Sequence, residues 1–277
     1  MRAVVLDEEG QPRVTELAEP DDGFAVLACG LCGSDVEKLA PANAGAVLGH
    51  EVVADANGTR VALFHHLPCG ACARCLAGHE STCEAFAAST IVPGGFAERV
   101  QACGGVELPD EVDDAPGTMV EPLACVLRGA ERLPMGRVLV VGHGFIGRLF
   151  AAALRWRGDE VFAVDADPSR DGPAPDGPVR AAVLCAPGGA ETALEHIEPG
   201  GVLLVFADAG PMPTVALYRR ELTVFGSRSA TPRHMETAAA LLPELDLPEP
   251  TVLPLERFDE GLDLYRRGEA LKVVFTP

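Results

Sequence analysis

Four cysteines, Cys69, Cys72, Cys75 and Cys83, stand in "PCGACARCLAGHESTC" with the spacing C-x2-C-x2-C-x7-C. Four thiolates this close in sequence can surround one tetrahedral Zn2+ and leave no coordination position open, which makes the site structural. An iron–sulfur cluster asks for the same residue type. Five further cysteines, Cys29, Cys32, Cys103, Cys125 and Cys185, bring the total to nine. The odd number, and an N-terminal run too short and too quickly acidic to be expected to act as a signal peptide, favour metal binding over a disulfide framework.

A second set is scattered. Cys32 lies in "GLCGSD", His50 and Glu51 in "GHE", and Glu121 in "VEPLA". A thiolate, an imidazole and a carboxylate make a three-ligand zinc site with a place left for water or substrate. Each residue alone has a plainer reading. His50 would be a hydrogen-bonded core histidine, and Glu121, before Pro122, a charge at a helix N-terminus. Their occurrence on both sides of the cysteine array favours the joint reading.

The third element is "VLVVGHGFIG", which holds Gly142, Gly144, Phe145, Ile146 and Gly147. A G-x-G-x-x-G motif alone says little. This one ends an apolar run, opens a helical pattern and is followed 23 residues after Gly142 by Asp165 at the end of the next apolar run. In that setting it reads as a dinucleotide fingerprint, with the glycines letting backbone approach a pyrophosphate at a helix N-terminus. Asp165 would accept hydrogen bonds from the adenosine ribose and repel a 2′-phosphate, so NAD is expected over NADP.

These residues need elements to hold them. Residues 1–126 read as short alternating β runs broken by Gly/Pro turns, among them "RAVVL", "GFAVLACG" and "GGFAERVQA". From Glu121 the pattern changes. "EPLACVLRGAERL" has helical spacing, "RVLVVG" is a continuous apolar strand, "FIGRLFAAALRWRG" a helix and "EVFAVD" a second strand. That alternation marks a parallel sheet buried on both faces. "RAAVLCA", "GGVLLVFAD" and "ELTVFGS" read as further strands, and "TPRHMETAAALL" as a helix with Thr231 at its N-cap and Pro232 in its first turn.

The 277 residues are 48% hydrophobic, enough for a packed core and against disorder. The net charge of −19 argues against nucleic acid, whose phosphates it would repel. No apolar run approaches the roughly 18 residues of a membrane helix. A cytoplasmic protein acting on a small molecule, without nucleic-acid or membrane partners, is expected.

The order C-G-S-D, G-H-E, four-cysteine lobe, E-P-L, G-x-G-x-x-G and closing "VLPLERFDEGLDLYRRGEALKVVF" resembles the zinc-containing medium-chain alcohol and polyol dehydrogenases over nearly the whole chain. Glu121-Pro122 is similar to the sorbitol, threonine and glucose dehydrogenase branch. The resemblance implies a mostly β GroES-like catalytic domain (1–126 and 229–277) and a Rossmann-type NAD-binding α/β domain (127–228). It implies a catalytic zinc on Cys32 and His50, with Glu51 or Glu121 as third ligand, and a structural zinc on the four cysteines. Ser34 matches the hydroxyl that takes the substrate proton. Lys272 matches a basic residue near the cofactor pyrophosphate, and Arg170 a cation beside the adenosine ribose. The implied reaction is hydride transfer from a secondary alcohol (a polyol, sugar or cyclitol, with simple alcohols and threonine as alternatives) to NAD+. A homodimer or homotetramer built through the nucleotide-binding domain is implied, with "GGVLLVFADAG" as the contact segment. A zinc- and nucleotide-binding relative without turnover is the alternative of another class.

The chain departs from the family pattern in places. Glu37 stands where a histidine often passes the proton outward. Cys32 to His50 is 18 residues and Glu121 to Gly142 is 21, both tight for the family, so the pocket loops are expected to be trimmed. The stretch "DADPSRDGPAPDGPVR", residues 165–180, cannot hold the outer βα unit of a full dinucleotide fold. It predicts a sheet that lacks its outer strand, with strand two left as an exposed, proline-guarded edge and a looser adenine pocket.

Overall fold

Arg137–Val141, the apolar run before the glycine motif, is one strand of a five-stranded sheet in the computed structural model, which describes residues 1–277 apart from the side chain of Ala87. The strands run in the order Thr223–Gly226, Ile197–Val205, Val179–Leu184, Arg137–Val141, Glu160–Val164. Every neighbouring pair is parallel. Val138, Leu139 and Val140, like Ala181 to Leu184, are fully buried, as the unbroken apolar runs of a parallel sheet require. The helix Phe145–Arg157 follows the first of these strands in sequence and stops at Gly158, whose φ of 98° gives the left-handed helix terminus.

A six-stranded dinucleotide fold has the order 3-2-1-4-5-6. Here the position of strand 3 is missing, as the proline-rich stretch implied. Residues 165–178 lead from Glu160–Val164 to Val179–Leu184 on the other side of Arg137–Val141. The expectation of a bare edge needs correction. Gly172 N–H donates to the Ala163 carbonyl at 3.1 Å, and Asp165 N–H to Asp171 Oδ1 at 3.1 Å. The loop therefore folds back and pairs part of the edge it leaves. Within "GGVLLVFADAG", residues 200–210, the strand ends at Val205. Val202–Val205 lies inside the sheet with both backbone edges paired, and the open edge on that side is Thr223–Gly226.

The second unit is built on a seven-stranded sheet. Its order is Thr251–Pro254, Val273–Thr276, Phe24–Gly30, Glu51–Ala56, Thr59–Leu63, Gly105–Glu107, with Arg99–Val100 beside Phe24–Gly30. Phe96, Phe258 and Phe275, all nearly fully buried, pack edge-on and stacked with ring centroids 4.6–5.7 Å apart in its core. The register sets Gly30 opposite both Glu51 and Val274. The residues just beyond these strand ends, Cys32, His50 and Lys272, are thereby brought to one place.

The two units comprise Met1–Ala124, Ala230–Glu244 and Pro248–Pro277, and Cys125–Ser229 with Leu245–Leu247. The division falls inside the helix Val120–Ala130, with Glu121 in its first turn. Helix Pro232–Leu241 starts after Thr231 in extended conformation, and the Thr231 hydroxyl bonds the His234 ring at 2.7 Å. Among the described residues no helix is long and apolar enough to cross a membrane.

Candidate active site

Cys32 sits at the start of the short helix Gly33–Glu37, where Asp35 Oδ2 accepts the Cys32 backbone N–H at 3.1 Å. That reciprocal bond fixes the turn carrying the thiol. The other oxygen, Oδ1, meets His50 Nδ1 at 3.1 Å and accepts the Gly49 N–H at 3.3 Å. One buried carboxylate thus holds both expected ligands. With Nδ1 engaged by Asp35, His50 keeps one ring nitrogen for a metal, and it offers a ligand atom within 4.8 Å of the Cys32 sulfur. A carboxylate behind a histidine is the arrangement that orients an imidazole for a metal and makes it a better donor.

The electrostatics follow from this packing. Burial works to raise the Asp35 pKa, but the charge and hydrogen bond of His50 outweigh it and hold the carboxyl below its usual range. Burial works against the His50 charge, and Asp35 reverses that, raising His50 well above an ordinary histidine. Burial, then His50 and His66, push His65 down to about 2 and keep its ring neutral.

Cys32, His50 and Glu51 offer ligand atoms that all lie within 4.8 Å of one another. His50, His65 and Glu121 form a second set within the same limit. Glu51, 1% exposed, is paired with the Nζ of Lys272, which also donates to the Leu31 carbonyl at 3.1 Å. Burial disfavours the Lys272 ammonium, yet Glu51 and Cys32 hold its pKa above the normal lysine value. Lys272 is thus the buried counter-ion of Glu51. Ser34 Oγ lies 3.5 Å from Cys32 Sγ, next to the expected metal position, and Glu37 is exposed at the end of the same helix.

The four-cysteine lobe is compact. Cys72 and Cys75 sulfurs are 3.5 Å apart and Cys69 and Cys75 sulfurs 4.0 Å, against about 3.8 Å for thiolates around a tetrahedral zinc with bonds of about 2.3 Å. Backbone N–H groups of Cys69 and Cys72 point at the sulfurs of Cys83 and Cys69, at 3.4 and 3.3 Å. The donor set fits one ion, and no disulfide joins any cysteine among the described residues.

In the other unit, Gly142 has φ of 92° and a Cβ there would fall 2.5 Å from the Ala186 Cβ, while one on Gly147 would fall 2.0 Å from the Gly142 carbonyl oxygen. Gly144 is different. A Cβ there would meet only an Arg170 guanidinium nitrogen, at 4.0 Å. The first and third glycines serve the turn and the packing, and the second leaves the open cradle a phosphate needs. Asp165 Oδ2 accepts the His143 N–H at 2.6 Å and Oδ1 the Asp167 N–H at 2.9 Å. The Arg170 side chain approaches Asp167 at 3.4 Å, and its carbonyl contacts His143 Nδ1 at 2.8 Å. Phe145 and Ile146 form the first turn of the following helix.

Asp35 and His65 escaped the sequence reading. Asp35 stands in the quoted C-G-S-D, where only Cys32 and Ser34 carried an expected role. His65 had no spacing signal, since its ring reaches His50 and Glu121 only through the fold.

The alcohol dehydrogenase GroES-like domain model matches residues 24–106, the stretch that carries Cys32, His50, Glu51 and the cysteine lobe. D-altritol 5-dehydrogenase of Agrobacterium fabrum is 30% identical over 87% of this chain and 88% of its own length. The chain belongs to the zinc-dependent medium-chain alcohol and polyol dehydrogenases, and it is an alcohol oxidoreductase. Sorbitol dehydrogenase of Halalkalibacterium halodurans is 26% identical over all of this chain and 99% of its own, which sets the similarity among enzymes named for polyols. The fold matches the crystal structure of L-idonate 5-dehydrogenase from Escherichia coli with a TM-score of 0.86 at 23% identity, over 100% of this chain and 98% of that one.

Proposed function

We propose that this enzyme oxidises a secondary hydroxyl of a polyol, sugar or sugar acid with NAD+. The observation that carries the reading is the double grip of Asp35 on the Cys32 turn and the His50 ring, which prepares a thiolate and an imidazole as neighbouring metal donors. The relatives named for altritol, sorbitol and galactonate support the substrate class.

Zinc, held by Cys32, His50 and a carboxylate, would supply Lewis acidity toward an alcohol oxygen. The chain's own residues do the rest. Asp35 fixes the His50 tautomer by engaging Nδ1. Ser34, beside Cys32, takes the hydroxyl proton and hands it toward the exposed helix end, where Glu37 can accept it. Gly144 leaves room for the pyrophosphate, and Asp165 receives the ribose hydroxyls. A fixed carboxylate at that point disfavours a 2′-phosphate, so NAD is preferred over NADP. The cofactor carries the redox chemistry. Cys69, Cys72, Cys75 and Cys83 would hold a second, structural zinc that cross-links the lobe.

The test is an initial-rate survey of zinc-replete protein with polyols, sugars, sugar acids, simple alcohols and threonine, with NAD and NADP each as acceptor. Reduction of NAD by a secondary polyol or sugar acid is expected. Activity with threonine or ethanol alone, or none with any alcohol, sinks the reading.

A further inference from the structure

We propose that the catalytic centre contains a second zinc position, built by His50, His65 and Glu121, in which His65 is a ligand. This rests on the zinc-dehydrogenase reading above and goes beyond the Cys32, His50 and carboxylate site expected from the sequence.

Two observations carry it. The ligand atoms of His50, His65 and Glu121 all lie within 4.8 Å of one another, the same closeness that Cys32, His50 and Glu51 show. Two imidazoles and one glutamate form a recognised donor set for a catalytic zinc with an open position. Second, the His65 ring is held in place. It stacks on His50 at 4.6 Å between centroids and packs tilted against His66 at 3.7 Å, and Thr90 N–H donates to the His65 carbonyl at 2.9 Å. His66 in turn packs on Phe86 at 4.8 Å and bonds the Ala88 carbonyl through Nδ1 at 3.0 Å. The stack ties His65 to the segment that follows Cys83, so the four-cysteine lobe steadies it.

His50 has one nitrogen left once Asp35 engages Nδ1, so the two positions share it and hold one ion between them. In the position toward His65, the ion leaves the Cys32 thiolate behind and keeps imidazole and carboxylate donors.

The experiment counts zinc per chain by elemental analysis after gel filtration, with circular dichroism and the lobe's own zinc as folding controls. Wild type is expected to hold two ions. Cys32→Ala is expected to keep two, with the catalytic one at the His65 position, and Cys32→Ala/His65→Gln to keep one. In the intact chain, His65→Gln is expected to weaken the catalytic zinc about tenfold or more in competition with a chromophoric chelator. Cys32→Ala falling to one ion, the double variant keeping two, or an unchanged affinity in His65→Gln overturns the inference. Wild type holding only one ion overturns the functional reading itself.

Discussion

Lys272 and Glu51, 221 residues apart in sequence, meet as an ion pair whose side chains are each 1% exposed. The register of three adjacent strands makes the pair, because Gly30 lies opposite Glu51 on one side and Val274 on the other. Lys272 precedes the strand that contains Val274. The pair thus locks the C-terminal strand to the two strands that deliver Cys32 and His50.

Lys272→Met should remove one half of that pair and leave a buried carboxylate without its counter-ion. Breaking such a pair costs about 3–5 kcal/mol, whereas replacing both halves with apolar residues costs much less. Urea unfolding should show the single variant strongly destabilised and Lys272→Met/Glu51→Leu closer to wild type. A loss of under about 1 kcal/mol in the single variant would show that the pair contributes little.

Asp35→Asn keeps the shape of the residue but removes the charge that holds His50. Groups behind a metal-bound histidine are worth about 10- to 100-fold in metal affinity. Chelator competition should show that loss at the catalytic centre alone, with the four-cysteine site unchanged. Equal weakening of both sites would mean a general unfolding rather than loss of the His50 orientation.

Asp165→Asn should relax cofactor choice. The amide oxygen can still accept the His143 N–H at the glycine turn, while the Asp167 N–H loses its acceptor and the repulsion of a 2′-phosphate is gone. The ratio of kcat/KM for NAD to that for NADP should fall about tenfold, equivalent to about 1.4 kcal/mol. An unchanged ratio would place discrimination elsewhere in the loop.

Metal removal should be visible in thiol chemistry. With zinc bound, an alkylating reagent should label the exposed Cys103 and spare Cys69, Cys72 and Cys75. After chelation those three should become reactive while buried Cys29 and Cys125 stay protected. Mass spectrometry of the labelled peptides reads the pattern. Labelling of the lobe before chelation would argue that its thiols hold no ion.

Much of this molecule is written in local patterns. The cysteine spacing places four sulfurs on one short segment, so their convergence needs no long-range folding. The strand, glycine turn and helix around Gly142 follow from apolar runs and from steric limits that only glycine meets. The prolines and glycines of 165–180 signalled the lost outer strand, because too few residues remained to build it. The same stretch did not announce that Gly172 would return to pair with Ala163, since a single backbone hydrogen bond has no sequence signature.

The sequence by itself determined the donor types, the glycine turn and most of the strand segments, because spacing, periodicity and glycine sterics are properties of short segments. Only the tertiary structure decided who partners whom at the active site. Asp35 behind His50, Lys272 against Glu51 and His65 beside Glu121 all depend on strand register and on stacking between distant segments. A residue type gives its chemistry, but the charge and the neighbours that tune it are set by burial among groups that come together only in the fold.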